Sequence, residues 1–96
     1  MLFVITATDK PDSQALRAAT REAHLAYLEG LAEIIQLAGP LLNETGDPIG
    51  SLLVVDLPDA KAAVDFTVAD PYRLAHLFAN VTIEAFRAVY KDGARL

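Results

Sequence analysis

Short β-branched apolar runs alternate along this chain with longer segments whose apolar residues recur at three- and four-residue steps. Leu2-Phe3-Val4-Ile5-Thr6-Ala7-Thr8 is the first such run. It hardly alternates, so it predicts a strand buried on both faces. Asp9-Lys10-Pro11-Asp12-Ser13 ends it: Pro11 removes a backbone donor, and Asp12 or Ser13 can cap a helix. From Ser13 to Leu31 the pattern predicts an amphipathic helix. Leu16, Ala19, Ala23, Tyr27 and Leu31 form its inward stripe, with Gln14, Ala18, Glu22 and Glu29 roughly opposite. Gly30 is placed to close it.

Glu33 to Leu42 predicts a second strand, bent or bulged at Gly39-Pro40. The turn cluster Asn43-Glu44-Thr45-Gly46-Asp47-Pro48 and the run Ser51 to Leu57 complete a β-hairpin. Pro58 suits the first turn of a helix, predicted over Asp59 to Val68 with Ala62, Ala63, Phe66 and Ala69 inward. Asp70-Pro71-Tyr72 breaks that helix and starts a short turn running to His76. Phe78 to Tyr90 fits either period. Val81-Thr82-Ile83 decides for a strand, with residues 91–96 frayed at the end.

The resulting order, β-α-β-β-α-β, is the split βαβ arrangement of an α+β, ferredoxin-like sandwich. Two helices would cover one face of a four-stranded antiparallel sheet. The strands read as apolar on both sides, so the open face needs a partner. The economical partner is a second copy packed sheet against sheet, giving a homodimer with a ligand cavity between sheet and helices or at the seam.

Ninety-six residues fit one domain, residues 1–96. The 53% hydrophobic content excludes disorder, although much of it is alanine. Thirteen acidic against eight basic residues, net −5, argues against a nucleic-acid module. Cysteine is absent, which removes disulfides, thiolate nucleophiles and cysteine zinc sites. The opening residues lack a basic n-region and no apolar run approaches a membrane span, so a soluble, cytoplasmic protein is expected.

Chemistry concentrates on a few residues. His24 shares a helix face with Arg17, Arg21, Leu28 and Leu31, at the edge of the apolar stripe. That placement serves a tunable acid–base group or a half-exposed surface ring. Asp70, extended because Pro71 follows it, can cap the next turn or reach His24 and fix its tautomer. Ser51 could act with His24 as a nucleophile, but no Gly-x-Ser-x-Gly surrounds it, and a single hydrogen bond is the simpler role. Asp9 suits a turn. Arg17 and Arg21 can grip a carboxylate or pair with Glu22 or Asp12 on a solvated face. The two histidines lack metal-ligand spacing, and Gly46-Asp47-Pro48-Ile49-Gly50 is no phosphate loop. Neither a metal nor a cofactor is expected.

Phe3-Val4-Ile5, Asp9-Lys10-Pro11-Asp12-Ser13, Arg17 and Arg21-Glu22-Ala23-His24-Leu25-Ala26-Tyr27-Leu28 together resemble the opening of the YciI-like family. Ala38-Gly39-Pro40-Leu41, Gly50-Ser51, Asp70-Pro71-Tyr72 and Val81-Thr82-Ile83-Glu84-Ala85-Phe86 extend the resemblance over nearly the whole chain. It implies a ferredoxin-like fold dimerising as an α/β barrel, with an active site centred on a histidine and an aspartate, here His24 and Asp70. It also implies proton-transfer or elimination chemistry on small ring compounds. One departure is His76, where the family pattern commonly has glycine. A second imidazole there would enter the pocket or lie on the surface.

The combined expectation is a cofactor-independent enzyme. His24 and Asp70 would be catalytic, with Asp9, Arg17, Ser51 and Tyr72 shaping the substrate pocket. Its rival is a non-catalytic dimer that carries a small ligand or assists a partner enzyme.

Overall fold

A computed structural model describes residues 1–96. Strand β1 (Leu2–Asp9) leads into helix α1 (Gln14–Glu29), a 3-10 turn (Ala32–Ile34) and strand β2 (Ile35–Leu42). Strand β3 (Pro48–Asp56), helix α2 (Ala60–Val68), the single turn α3 (Pro71–Leu74) and strand β4 (Phe78–Phe86) follow. The four strands form one antiparallel sheet in the order β2-β3-β1-β4. This is the ferredoxin-like α+β arrangement, with β1 and β3 central. No helix is long and apolar enough to cross a membrane.

Period-two alternation divides the sheet. Phe3, Ile5, Leu53 and Val55 point under the helices and join Ala63 and Phe66 in the core. Val81 and Ile83 of β4 extend that layer across the register pairs Ala7↔Val81 and Ile5↔Ile83. Tyr27, Leu28 and Leu31 of the α1 side pack onto it from above. The Tyr27 hydroxyl donates to the Phe66 carbonyl at 2.7 Å, so one polar bond ties α1 to α2.

Several local expectations are corrected. The inward stripe of α1 is rotated by one residue: Arg17 and His24 are buried, while Leu16, Ala19 and Ala23 are exposed. Both polar side chains have buried partners waiting beneath the helix, which reverses the hydrophobic ordering. Neither Asp12 nor Ser13 caps α1 through its side chain; Ser13 Oγ donates to the Pro11 carbonyl instead. Gly30 closes the helix in ordinary right-handed geometry. Gly39 and Pro40 stay in register opposite Leu52 and Ser51, and the irregularities fall at Ile35/Leu37 and Leu41/Leu42. Strand β2 is an edge, where a proline is tolerated. Thr67, not Ala69, is the buried position late in α2, because its hydroxyl bonds back to the Ala63 carbonyl at 2.9 Å. Residues beyond β4 form a small hairpin, β5 (Tyr90–Lys91) with β6 (Ala94–Arg95). Asp92 and Gly93 both take positive φ, 52° and 77°, as a tight Asp-Gly hairpin turn requires.

The open face is apolar over β2, β3 and the start of β1, where Leu37, Leu41, Leu52, Val54, Leu2 and Val4 line it. Thr6 and Thr8 continue β1, and β4 presents Asn80, Thr82 and Glu84 before ending in exposed Phe86 beside Leu2. We propose that this face pairs with a second copy, the apolar positions covering one another and the polar stretch Asn80, Thr82 and Glu84 staying at the rim. Val54→Lys would then place an ammonium in the middle of the seam. The expected outcome is a dimer for the natural sequence and a folded monomer for the variant in sedimentation equilibrium. A natural chain that sediments as a monomer at micromolar concentration rules out the pairing.

Candidate active site

Asp70 organises the site. Pro71 holds it extended (φ −62°, ψ 128°), so its carboxylate turns back over the next turn. Asp70 Oδ1 accepts the Tyr72 backbone N–H at 2.9 Å, capping α3, with Pro71 in the first turn. The same oxygen lies 2.8 Å from His24 Nδ1 across the α1–α3 contact. The two roles the sequence left open for Asp70 are met by one atom. Both side chains are nearly buried, at 10% exposure for His24 and 5% for Asp70. With Nδ1 engaged, Nε2 is the ring nitrogen left without a protein partner.

Capping α3 also sets Tyr72. Its ring stacks on the His24 imidazole, centroids 4.1 Å apart and planes 20° from parallel. The Arg17 guanidinium lies 4.5 Å from the same ring's centre. Phe78 meets the Tyr72 ring edge-on at 6.0 Å. The phenol is thus held by contacts from α1 and the start of β4.

Arg17 stands two helical turns before His24 on the same face. Its Nε and Nη2 donate to the Asp9 carboxylate at 2.7 and 3.1 Å, a fork-like pair. Nη2 also donates to Ser51 Oγ at 2.7 Å. Ser51 is therefore an acceptor for Arg17 and makes no bond to His24. Asp9 stands behind Arg17, off the cleft wall. No buried side-chain nitrogen or oxygen is left without a partner.

Arg17, His24, Ser51 and Tyr72 line one cleft of about 370 Å³ between α1 and the β2–β3 hairpin. Arg21, Leu25 and Leu28 also belong to its helix wall, and Ala38, Pro40 and Leu53 to its floor. The floor was not singled out in the sequence. Its signal was the pairing Pro40↔Ser51 and Ala38↔Leu53, which places these residues on one side of the sheet. Gly50, beside Ser51, allows close packing: a Cβ there would meet the Ala7 carbonyl oxygen at 2.4 Å. His76 lies outside the cleft and is exposed. Its φ of 61° is left-handed, a conformation natural to glycine.

Burial pushes the Tyr72 phenol up from its ordinary 10.0, opposed by Arg17 and Arg21 and reinforced by Asp70. Burial also raises Tyr27, again with help from the Asp70 charge. The arrangement supplies an oriented imidazole, a neutral phenol and guanidinium groups around an apolar slot.

A ferredoxin-like α+β sandwich with a histidine–aspartate pair under its first helix is the class that fold and site define. The chain belongs to the YCII-related domain family, which matches residues 1–87. It is 36% identical over 98 residues to Protein YciI of Escherichia coli O6:H1, covering 94% of this chain and all of that one. An uncharacterized protein of Haemophilus influenzae is 34% identical over 100 residues, with the same coverage. Among solved structures it is similar to 5-chloro-2-hydroxyhydroquinone dehydrochlorinase of Burkholderia phenoliruptrix, in complex with 2,5-dihydroxybenzoquinone. That match has a TM-score of 0.87 and 38% identity, covering 91% of this chain and 94% of the other. An antibiotic biosynthesis monooxygenase shares the fold at a TM-score of 0.52 and 20% identity.

Two outcomes follow for the site. Asp9→Ala strands the buried Arg17 guanidinium and should cost roughly 3 kcal/mol in urea unfolding. Adding Arg17→Met should recover part of that loss; a double variant no more stable than Asp9→Ala contradicts the pairing. For the tyrosines, a raised phenol value means that the folded state retains the proton. The associated stability is complete below pH 10.0 and is lost as pH rises through the elevated folded values. In an alkaline titration of tyrosinate absorbance, Tyr72→Phe and Tyr27→Phe should each remove part of the late-titrating signal. Loss of early signal instead would contradict the burial effect.

Proposed function

We propose that this protein is a small, cofactor-independent enzyme that moves protons on a compact organic substrate, by isomerisation or elimination. The observation that carries the reading is the oriented imidazole: His24 Nδ1 lies 2.8 Å from buried Asp70, Nε2 has no protein partner, and the ring lines the cleft beside Leu25, Leu28 and Pro40. The carboxylate fixes the tautomer and stabilises the imidazolium that forms when Nε2 takes a proton. His24 is the general base, and after protonation the general acid. Asp70 is a positioning residue acting through it. Tyr72 and Arg17 line the same cleft and would face the substrate there.

In this scheme Nε2 removes a proton from an enolic O–H or from a C–H beside a carbonyl. The electron pair passes into the conjugated system. If the imidazolium returns the proton to a different carbon, the result is isomerisation. If a leaving group departs with its bonding pair, the net result is loss of HX. The similarity to a dehydrochlorinase supports the second outcome on a ring substrate. It favours turnover over the non-catalytic carrier.

The test uses 5-chloro-2-hydroxyhydroquinone and its unchlorinated analogue, following chloride release and solvent deuterium uptake by NMR. Positioned proton transfer contributes about 10²–10⁴-fold, so His24→Gln should lower the rate at least a hundredfold. Asp70→Asn should cause a similar loss, and the double variant should be hardly slower than either single one. Unchanged exchange in folded His24→Gln would remove the acid–base reading.

A further inference from the structure

The cleft differs in charge from the rest of the chain. Thirteen acidic residues give a net charge of −5, yet no Asp or Glu is among the residues lining the cleft, while Arg17 and Arg21 both are. The two arginines are not equivalent. Arg17 is buried and its charge is met by Asp9. Arg21 lies one helical turn further along α1, is exposed, and forms no ion pair. It also stands one turn before His24, so its guanidinium and His24 Nε2 can address the same small molecule.

We infer that Arg21 determines specificity for anionic substrates: it would bind the charged oxygen of a small planar enolate or phenolate whose apolar body lies against Leu25, Leu28 and Pro40. This deepens the acid–base reading and rests on it for the word substrate, but the recognition is a property of the cleft itself. A chain of net −5 repels anions at long range, so a local unpaired cation is what lets one enter. Its positive field reaches the interior: both arginines oppose the burial that raises the Tyr72 phenol. The guanidinium is planar and forks onto paired or conjugated oxygens, which a lysine ammonium does not.

The test is binding, kept separate from turnover. The probes are 2,5-dihydroxybenzoquinone, a vinylogous acid that is anionic at neutral pH, and hydroquinone, a neutral ring of similar size. Calorimetric titration of the natural chain should give tighter binding of the anion, weakening as salt is raised. Arg21→Gln should weaken the anion about tenfold, the order expected for a charge-assisted hydrogen bond at a solvent-edged site, and leave hydroquinone unchanged. Arg21→Lys should restore only part of the loss. Because Arg21 is exposed, circular dichroism should show all variants folded. Equal weakening of both probes, no weakening of the anion, or failure of the natural chain to bind the anion at millimolar concentration would each overturn the inference. If Arg21→Gln loses the anion while His24→Gln keeps full turnover, the acid–base reading fails and the role of Arg21 stands.

Discussion

A single oxygen, Asp70 Oδ1, takes part in two contacts that join different levels of the structure. Its bond from the Tyr72 N–H starts a helical turn; its contact with His24 Nδ1 fixes a ring on another helix. Starting the turn there brings the Tyr72 ring onto the imidazole, and Arg17 lies against that ring. Arg17 then reaches Asp9 on β1 and Ser51 on β3. A polar chain thereby runs from α3 through α1 to both central strands. Burying so many polar groups is unfavourable unless each is satisfied. Here each buried side-chain donor and acceptor is, which makes the chain rigid and every member sensitive to loss of its neighbour.

The fold was largely legible because its elements have distinct periods. The runs Leu2–Thr8 and Ser51–Leu57 are dense in β-branched residues, and α1 carries a clear helical repeat. The rotation of α1 was hidden for a physical reason. A hydrophobic stripe assigns Arg17 and His24 to the edge, since nothing local shows that partners 8 and 46 residues away will meet them. Asp70-Pro71-Tyr72 was readable as a turn with a free carboxylate, but local geometry cannot show that capping and pairing fall to the same atom. The Asp92-Gly93 hairpin had a readable signal, passed over because the segment is short. His76 is a second such case: the glycine common at that position in the family pattern hinted at the left-handed backbone beneath it, and only the ring's placement was asked.

The limits of fold as a guide are visible in the comparisons. The likeness to an antibiotic biosynthesis monooxygenase, at 20% identity, is a likeness of fold alone. On a shared scaffold function lies in the site, and here the site lies between the first helix and the β2–β3 hairpin. In this chain it is an oriented imidazole above an apolar floor.

The cleft also divides into two kinds of residue that differ in how far the frame depends on them. Arg17, Ser51, His24 and Tyr72 are bonded into or stacked on the frame that holds α1 to the sheet. Gln14, Ala18, Leu25 and Ala38 border the same space without taking part in it. Exchanges at such positions typically shift stability by no more than about 0.5 kcal/mol. Drift in ligand choice can therefore accumulate along this rim while the frame stays fixed. A lineage built on this chain could diversify its ligands without passing through unfolded intermediates.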